Sequence, residues 1–359
     1  MKAKKQFDFQ PDYAVCPGET LQEIMESFNM SQKELAIRTG LTVQSLNRIF
    51  KGEQPITYES ANRLELATGV PARYWNNLEA QYREYLTKAE ERKVLESDLK
   101  WLKTIPTKEL MGRNLIKKSD NPVTLLRETL SFYGVSSVSS WSEIWSKPAV
   151  AARRSLCFES QPGPASAWIR QGELQAHKIE CQPFDKSLFI QALRTIRSLT
   201  REIPEKFEPE MKRLCADAGV AITMVPEMKK VPWNGATKWL SSSKAMILLC
   251  LRGKGEDNFW FSFFHEAGHV LNDSKKDLLI NDESTTDVRE QRANKFAAEF
   301  LIPSEYNADV MNINSHGEII TLAEKLKIAP GIVAGRYQFL TKKWHYFKTL
   351  IRPLRWNHS

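Results

Sequence analysis

Cysteine is scarce in this chain of 359 residues: five thiols, at Cys16, Cys157, Cys181, Cys215 and Cys250, never spaced as C-x-x-C. That scatter excludes a disulfide framework and a thiolate zinc ribbon, and it suits a reducing compartment. No stretch approaches the about 18 consecutive apolar residues of a membrane span. The basic start, Met1 to Phe9, is not followed by an apolar segment of signal-peptide length. Neither an internal repeat nor a low-complexity tract is visible. These absences lead to the expectation of a cytoplasmic, non-membrane protein. What is present is ordinary globular composition: hydrophobic residues at 42% and charged residues at 26% give enough apolar surface to fold, which argues against wholesale disorder. The length calls for two or three domains. Fifty-one Lys and Arg against 43 Asp and Glu leave a net charge of +8, which favours contact with a polyanion without proving it.

Residues 12–88 are dense in short helical patterns, and Tyr74, Trp75, Leu78, Tyr82, Tyr85 and Leu86 recur at three- and four-residue steps, predicting an amphipathic helix over 74–86. After the charged cluster Glu90-Glu91-Arg92-Lys93, short helices and loops alternate, with Pro106, Pro122 and the serine run 136–140 as breaks. Beyond Ala149 the pattern mixes types. Strands are expected at 220–225 and 244–251, and helices at 186–200, 206–217, 257–273 and 287–301. The expected organisation is multidomain: an all-α helix-turn-helix domain at 1–89, a helical connecting region at 90–148, and an α+β domain at 149–359. The basic end of the chain, from Lys342 on, carries Trp344, Tyr346, Phe347 and Trp356 and reads as either a docking helix or a surface patch.

Between Gln32 and Lys51 the small and apolar residues fall where a helix-turn-helix needs them. Leu35 and Ala36 lie in a first helix, Gly40 at the turn, and Leu46 and Ile49 in a second. Ala36 must be small where the helices cross, and Gly40 can take the positive φ of a tight turn. Ser31 with Glu34 forms a potential capping box, and Thr42 can cap the second helix. Gln44, Ser45, Asn47, Arg48 and Lys51 then point outward and, with Gln32, make the expected DNA-contacting set. Gln, Asn and Arg match base edges, with Gln44, Ser45 and Arg48 the base-reading candidates, while Lys holds phosphate. The same spacing also describes a plain helical hairpin with a solvated polar face.

The sharpest signal is His265-Glu266-Ala267-Gly268-His269. Residues four apart share a helix face, so both imidazoles can reach one Zn²⁺, while Glu266, about a hundred degrees away, can meet water as a general base. A third ligand is needed, and the acids downstream are Asp282, Glu283, Asp287, Glu290 and Glu299. Helical phase selects Glu290, which shares the inward stripe of Ala293, Ala297, Phe300 and Leu301, whereas Glu299 lies on the opposite side. Locally, Glu290 serves equally well as the N3 partner of an Asp287 cap. Two core histidines on a buried helix are the structural alternative to the metal site. Gly235–Leu240 reads equally as an edge strand that aligns an extended substrate or as an ordinary surface strand. His177, His316, Arg336 and Tyr337 are polar candidates for an oxyanion donor, distinguished only by lying in the same domain.

Two resemblances accompany these motifs. Pro17-Gly-Glu-Thr-Leu21, Ser31-Gln-Lys-Glu-Leu-Ala36, Pro55-Ile-Thr57, Ala61-Asn-Arg-Leu-Glu65 and Trp75-Asn-Asn-Leu78 resemble the HigA-type antitoxin branch of the XRE repressor family over roughly 14–85. This implies a five-helix domain, a homodimer and a double-stranded operator. His265–His269, Glu290-Gln-Arg-Ala-Asn294, Phe296-Ala-Ala298 and Leu301-Ile-Pro303 resemble the ImmA/IrrE metallopeptidases. Ala167-Trp-Ile-Arg170, Leu214–Val220 and Gly235-Ala-Thr-Lys-Trp239 extend the likeness over about 150–340. It implies a zincin-like fold with His265, His269 and Glu290 as zinc ligands and Glu266 as catalytic base. The joint expectation is a transcriptional regulator whose zinc endopeptidase cleaves itself or a partner repressor or toxin-system protein. The alternative is a non-enzymatic HigA-like antitoxin and autorepressor that neutralises a RelE-like toxin by binding it.

Overall fold

Short capped helices build the N-terminal part of the chain. A computed structural model describes residues 14–146, 161–275, 278–280 and 287–356 and divides into two units, Met1–Asp98 and Leu99–Ser359. The first contains α1 (Pro17–Ser27), α2 (Gln32–Thr39), α3 (Val43–Phe50), α4 (Tyr58–Thr68) and α5 (Ala72–Asp98). Leu21, Leu35, Leu46, Ile49, Leu64 and Trp75 fill its core. Ser31 and Thr42 cap α2 and α3 by accepting from the backbone N–H of Glu34 and Ser45, and Gly40 takes φ +66° at the turn. The expected box at Ser31 is only half formed, because the Glu34 carboxylate accepts from Arg38 four residues on, at 2.6 Å. A complete box occurs instead at Thr57 and Ser60. Gly18 is needed where α1 meets α3: a Cβ there would lie 2.2 Å from the Ile49 carbonyl oxygen.

The charged cluster at 90–93, where the connecting region is expected to begin, lies inside α5, which runs through residue 98. Its residues are good helix formers, and ion pairs at i,i+4, Glu84–Lys88 and Arg92–Glu96, support the helix across the expected boundary at 89.

The second unit begins with α6 (Thr107–Gly112), α7 (Pro122–Tyr133) and α8 (Val138–Trp141), followed by α9 (Pro162–His177), α10 (Lys186–Leu199) and α11 (Pro204–Asp217). Then come β1 (Val220–Met224), β2 (Gly235–Ser241), β3 (Lys244–Leu249), α12 (Glu256–Asn272), β4 (Leu278–Ile280), α13 (Val288–Leu301), α14 (Asn307–Met311), α15 (His316–Leu326) and α16 (Pro330–Thr341). The part expected to be a separate connector groups with this unit from Leu99 on. Arg113 donates to the carbonyls of Pro226 and Glu227, and Tyr133 donates to the Gly163 carbonyl. The expected boundary at 148, Cys157, the first nine residues, Asp282 and Glu283 lie outside the described residues.

The strands form one mixed sheet in the order β1-β3-β2-β4, with β1 parallel to β3 and β2 antiparallel to both its neighbours. β3 is a continuous apolar run because it is buried on both faces. On one face Gly172 of α9 sits against Leu248, where a Cβ would approach to 2.9 Å. On the other, Ala245, Ile247 and Leu249 join the main core with Trp260, Phe263 and Phe264 of α12. β2 is an interior strand of the sheet, not an edge. β4 pairs with it at Ala236, Thr237 and Lys238, so an extended substrate has no free edge there. Among the described residues no helix is long and apolar enough to cross a membrane.

Candidate metal centre

α12 carries both histidines of the motif and is apolar on nearly every side, so it runs through the interior with His265, Glu266 and His269 at 0% exposure. Gly268, between the two histidines, lets α13 approach: a Cβ there would meet the Phe296 ring at 3.1 Å and Ala293 Cα at 3.4 Å. That approach brings Glu290 to the histidines. His265 Nε2 lies 3.0 Å from Glu290 Oε2, His269 Nε2 lies 3.1 Å from Glu290 Oε1, and the two Nε2 atoms are 3.0 Å apart. Glu290 is therefore not the partner of the helix cap. Asp287 caps α13 by accepting from the Arg289 N–H, and the Glu290 side chain points to the imidazoles.

The outer nitrogens are held as well. His265 Nδ1 is 2.9 Å from Asn294 Oδ1, and His269 Nδ1 is 2.7 Å from Asp273 Oδ2, whose other oxygen pairs with Arg292. With Nδ1–H donating outward, both Nε2 lone pairs face one point shared with the Glu290 carboxylate. Asn294 and Asp273 had no role in the sequence reading, yet a simple signal marks them. Asp273 follows His269 by four residues, and Asn294 follows Glu290 by four, so each follows a candidate ligand by one helical turn.

Glu266 is seated against β2. Thr237 Oγ1 donates to its Oε2 at 2.6 Å, while Oε1 has no hydrogen-bond partner although it is buried. Gly235 makes room for this carboxylate, since a Cβ would come within 2.6 Å of Oε1. Burial pushes the Glu266 carboxyl above the usual range, with Glu290 acting in the same direction and His265, His269 and Thr237 opposing it. Burial works against the charge of Glu290 too, but hydrogen bonds from both histidines hold its carboxyl low. Burial likewise disfavours a charged His269, yet Asp273, Glu290 and Glu266 outweigh it and push the imidazole up to about 10.

The donor set suits a divalent cation. His265, His269 and Glu290 each offer one atom, and these atoms lie within 4.8 Å of one another in a buried cluster. Two buried carboxylates, Glu266 and Glu290, face this cluster, and one oxygen of Glu266 remains unpartnered. The four oxyanion candidates are not in this cluster. His316 meets Thr349 at 3.2 Å, Arg336 donates to Asn307, Tyr337 packs on Phe347, and His177 lines a separate open cleft with Cys181 and Lys244. Glu299 accepts from the Ser304 N–H.

The DNA-contacting candidates occupy the first unit. Gln44, Asn47, Arg48 and Lys51 are exposed on α3 and its C-terminal cap. Gln32 donates to Asn47 Oδ1 at 2.8 Å, and Gln54 donates to Ser45 Oγ at 2.7 Å. Asn47 and Ser45 thus already have intramolecular partners.

Comparison with known families agrees with both halves of this description. Residues 21–75 match the helix-turn-helix family, and residues 227–337 match the family of IrrE N-terminal-like domains. The chain therefore joins an XRE-type helix-turn-helix domain to an IrrE-like domain of the metallopeptidase class. No curated protein matches it.

Proposed function

We propose that this protein is a DNA-binding regulator whose C-terminal unit is a zinc-dependent endopeptidase acting on itself or on a partner regulatory protein. The observation that carries the reading is the juxtaposition of the His265, His269 and Glu290 donor atoms with a buried Glu266 that has one oxygen free. Two imidazoles and one carboxylate are a donor set suited to Zn²⁺ with a position left open. When bound, the ion supplies Lewis acidity, making water a better nucleophile and polarising a scissile carbonyl. The chain's own residues handle the proton. Glu266 takes it through Oε1 from the water whose oxygen adds to the carbonyl carbon, and gives it to the amine nitrogen as the C–N bond breaks. Thr237 keeps Oε2 occupied, so the free oxygen is the one that works.

In the first unit, Arg48 and Gln44 read base edges of an operator and Lys51 holds phosphate, with a homodimer presenting two copies of α3 to an inverted repeat. Glu266→Gln tests the peptidase reading: metal and DNA binding stay, and cleavage falls by about 10²-fold or more. Mass spectrometry of cells carrying either form shows the fragments; equal cleavage by the variant contradicts the assignment. A second reading, a HigA-like antitoxin that sequesters a RelE-like toxin, draws on Ile37 and Leu66, exposed apolar residues of the first unit that a protein partner would cover. Under it, the Glu266→Gln variant protects cells from the toxin as well as wild type does.

A further inference from the structure

The turn that follows α16 is built in an unusual way. It comprises residues 342–347, beyond the segment matched to the IrrE-like family. Lys342 and Phe347, at its two ends, have φ of +60° and +55°, a left-handed conformation that side-chain-bearing residues rarely adopt. The strain is held by anchors beneath. Phe347 is buried against Tyr337 and His316, with ring centroids 4.9 and 5.2 Å away, and buried Gln338 donates to the Tyr346 carbonyl at 2.7 Å. What the turn exposes is a set of flat rings and cations. Phe339, Trp344 and Tyr346 are 54%, 60% and 43% exposed. The Lys342 ammonium lies 4.3 Å from the Phe339 ring centre and 5.8 Å from that of Trp344, and the Lys343 ammonium lies 5.3 Å from that of Tyr346. Residues 325–359 contain no Asp or Glu, and no ion pair engages Lys342, Lys343 or Lys348 among the described residues.

Large exposed rings are costly in water, and holding them on a strained, anchored turn requires a use. Two exposed rings that share one ammonium suit an unpaired nucleic-acid strand, whose bases stack on aromatic rings and whose phosphates meet cations. Duplex DNA hides its base faces and gains nothing from the rings. We propose that the turn at 342–347, with Phe339, is a binding site for single-stranded nucleic acid, separate from the helix-turn-helix and from the metal centre.

The test is fluorescence anisotropy of labelled dT12 and rU12 oligonucleotides with the full chain, with unlabelled duplex present to occupy the helix-turn-helix. Wild type binds one or both strands, and the tighter of the two identifies the natural strand as DNA or RNA. Trp344→Ala and Phe339→Ala each weaken binding about tenfold, Trp344→Tyr restores most of it, and Lys342→Gln flattens the salt dependence. Arg48→Ala leaves binding to the oligonucleotides unchanged. Because these side chains are exposed, unaltered circular dichroism verifies that the variants are folded. Unchanged affinity in Trp344→Ala and Phe339→Ala overturns the proposal, as does an absence of strand binding by wild type. Capture by phosphatidylserine vesicles or polyglutamate that depends on Trp344, without strand binding, overturns it in favour of a membrane or an acidic protein.

Discussion

At the scale of single residues, the candidate site depends on a division of labour between two oxygens of Glu266. Thr237 occupies one, and the missing side chain at Gly235 leaves space for the other. Gly235→Ala places a methyl within 2.6 Å of Oε1. The expected result is a protein that still takes up metal but cleaves at least ~10²-fold more slowly, as a misplaced reacting group commonly does; parallel metal analysis and cleavage assays check it. His269 makes a second prediction. In the ion-free chain its imidazole holds a proton up to about pH 10, above the ordinary value of 6.5. Metal must expel that proton, so uptake near pH 7 releases a proton and affinity rises with pH. Calorimetry in two buffers of different ionisation enthalpy measures the release. The linkage sign for the ion-free protein follows. A raised folded pKa gives stability that is complete below about 6.5 and lost as pH rises through about 10, so its melting temperature falls over that window.

At the scale of elements, the site is made where α12 and α13 pass closely enough for three side chains to converge, and Gly268 sets the approach. This much was legible in the sequence: the i,i+4 histidines and the inward stripe of α13 fix helix phase, and phase names Glu290. Local pattern left Glu290 divided between a cap and a ligand, because a cap is decided within one helix and a ligand by the packing of two. Thr237 and Gly235 were less visible. Strand order is a long-range property, and β4 covering β2 could not be read from the residues of β2 alone. The boundary placed at 89 falls inside α5, since charged residues paired at i,i+4 make good helix. In the first unit, α1 lies against α3 through Gly18. Gly18→Ala puts a Cβ 2.2 Å from the Ile49 carbonyl, so the helices must separate. A loss of about 1–3 kcal/mol in urea unfolding of that unit is expected, with weaker operator binding; an unchanged midpoint would show that α1 shifts freely.

At the scale of the whole molecule, the two units divide the chemistry. The ligands His265, His269 and Glu290, and the Asn294 and Asp273 that hydrogen-bond the two histidines, all lie within the second unit. A fragment of residues 99–359 is therefore expected to bind metal as the full chain does, while losing sequence-specific DNA binding; metal loss in a folded fragment would show that the first unit contributes to the site. The peptidase role proposed for the second unit returns to one divalent ion. Elemental analysis of purified protein, wild type beside Glu290→Ala and Glu266→Gln, tests that most directly. The account predicts one equivalent of zinc per chain in wild type and in Glu266→Gln, and almost none in Glu290→Ala. A wild-type protein that stays empty after incubation with zinc, or a Glu290→Ala protein that fills normally, would contradict it.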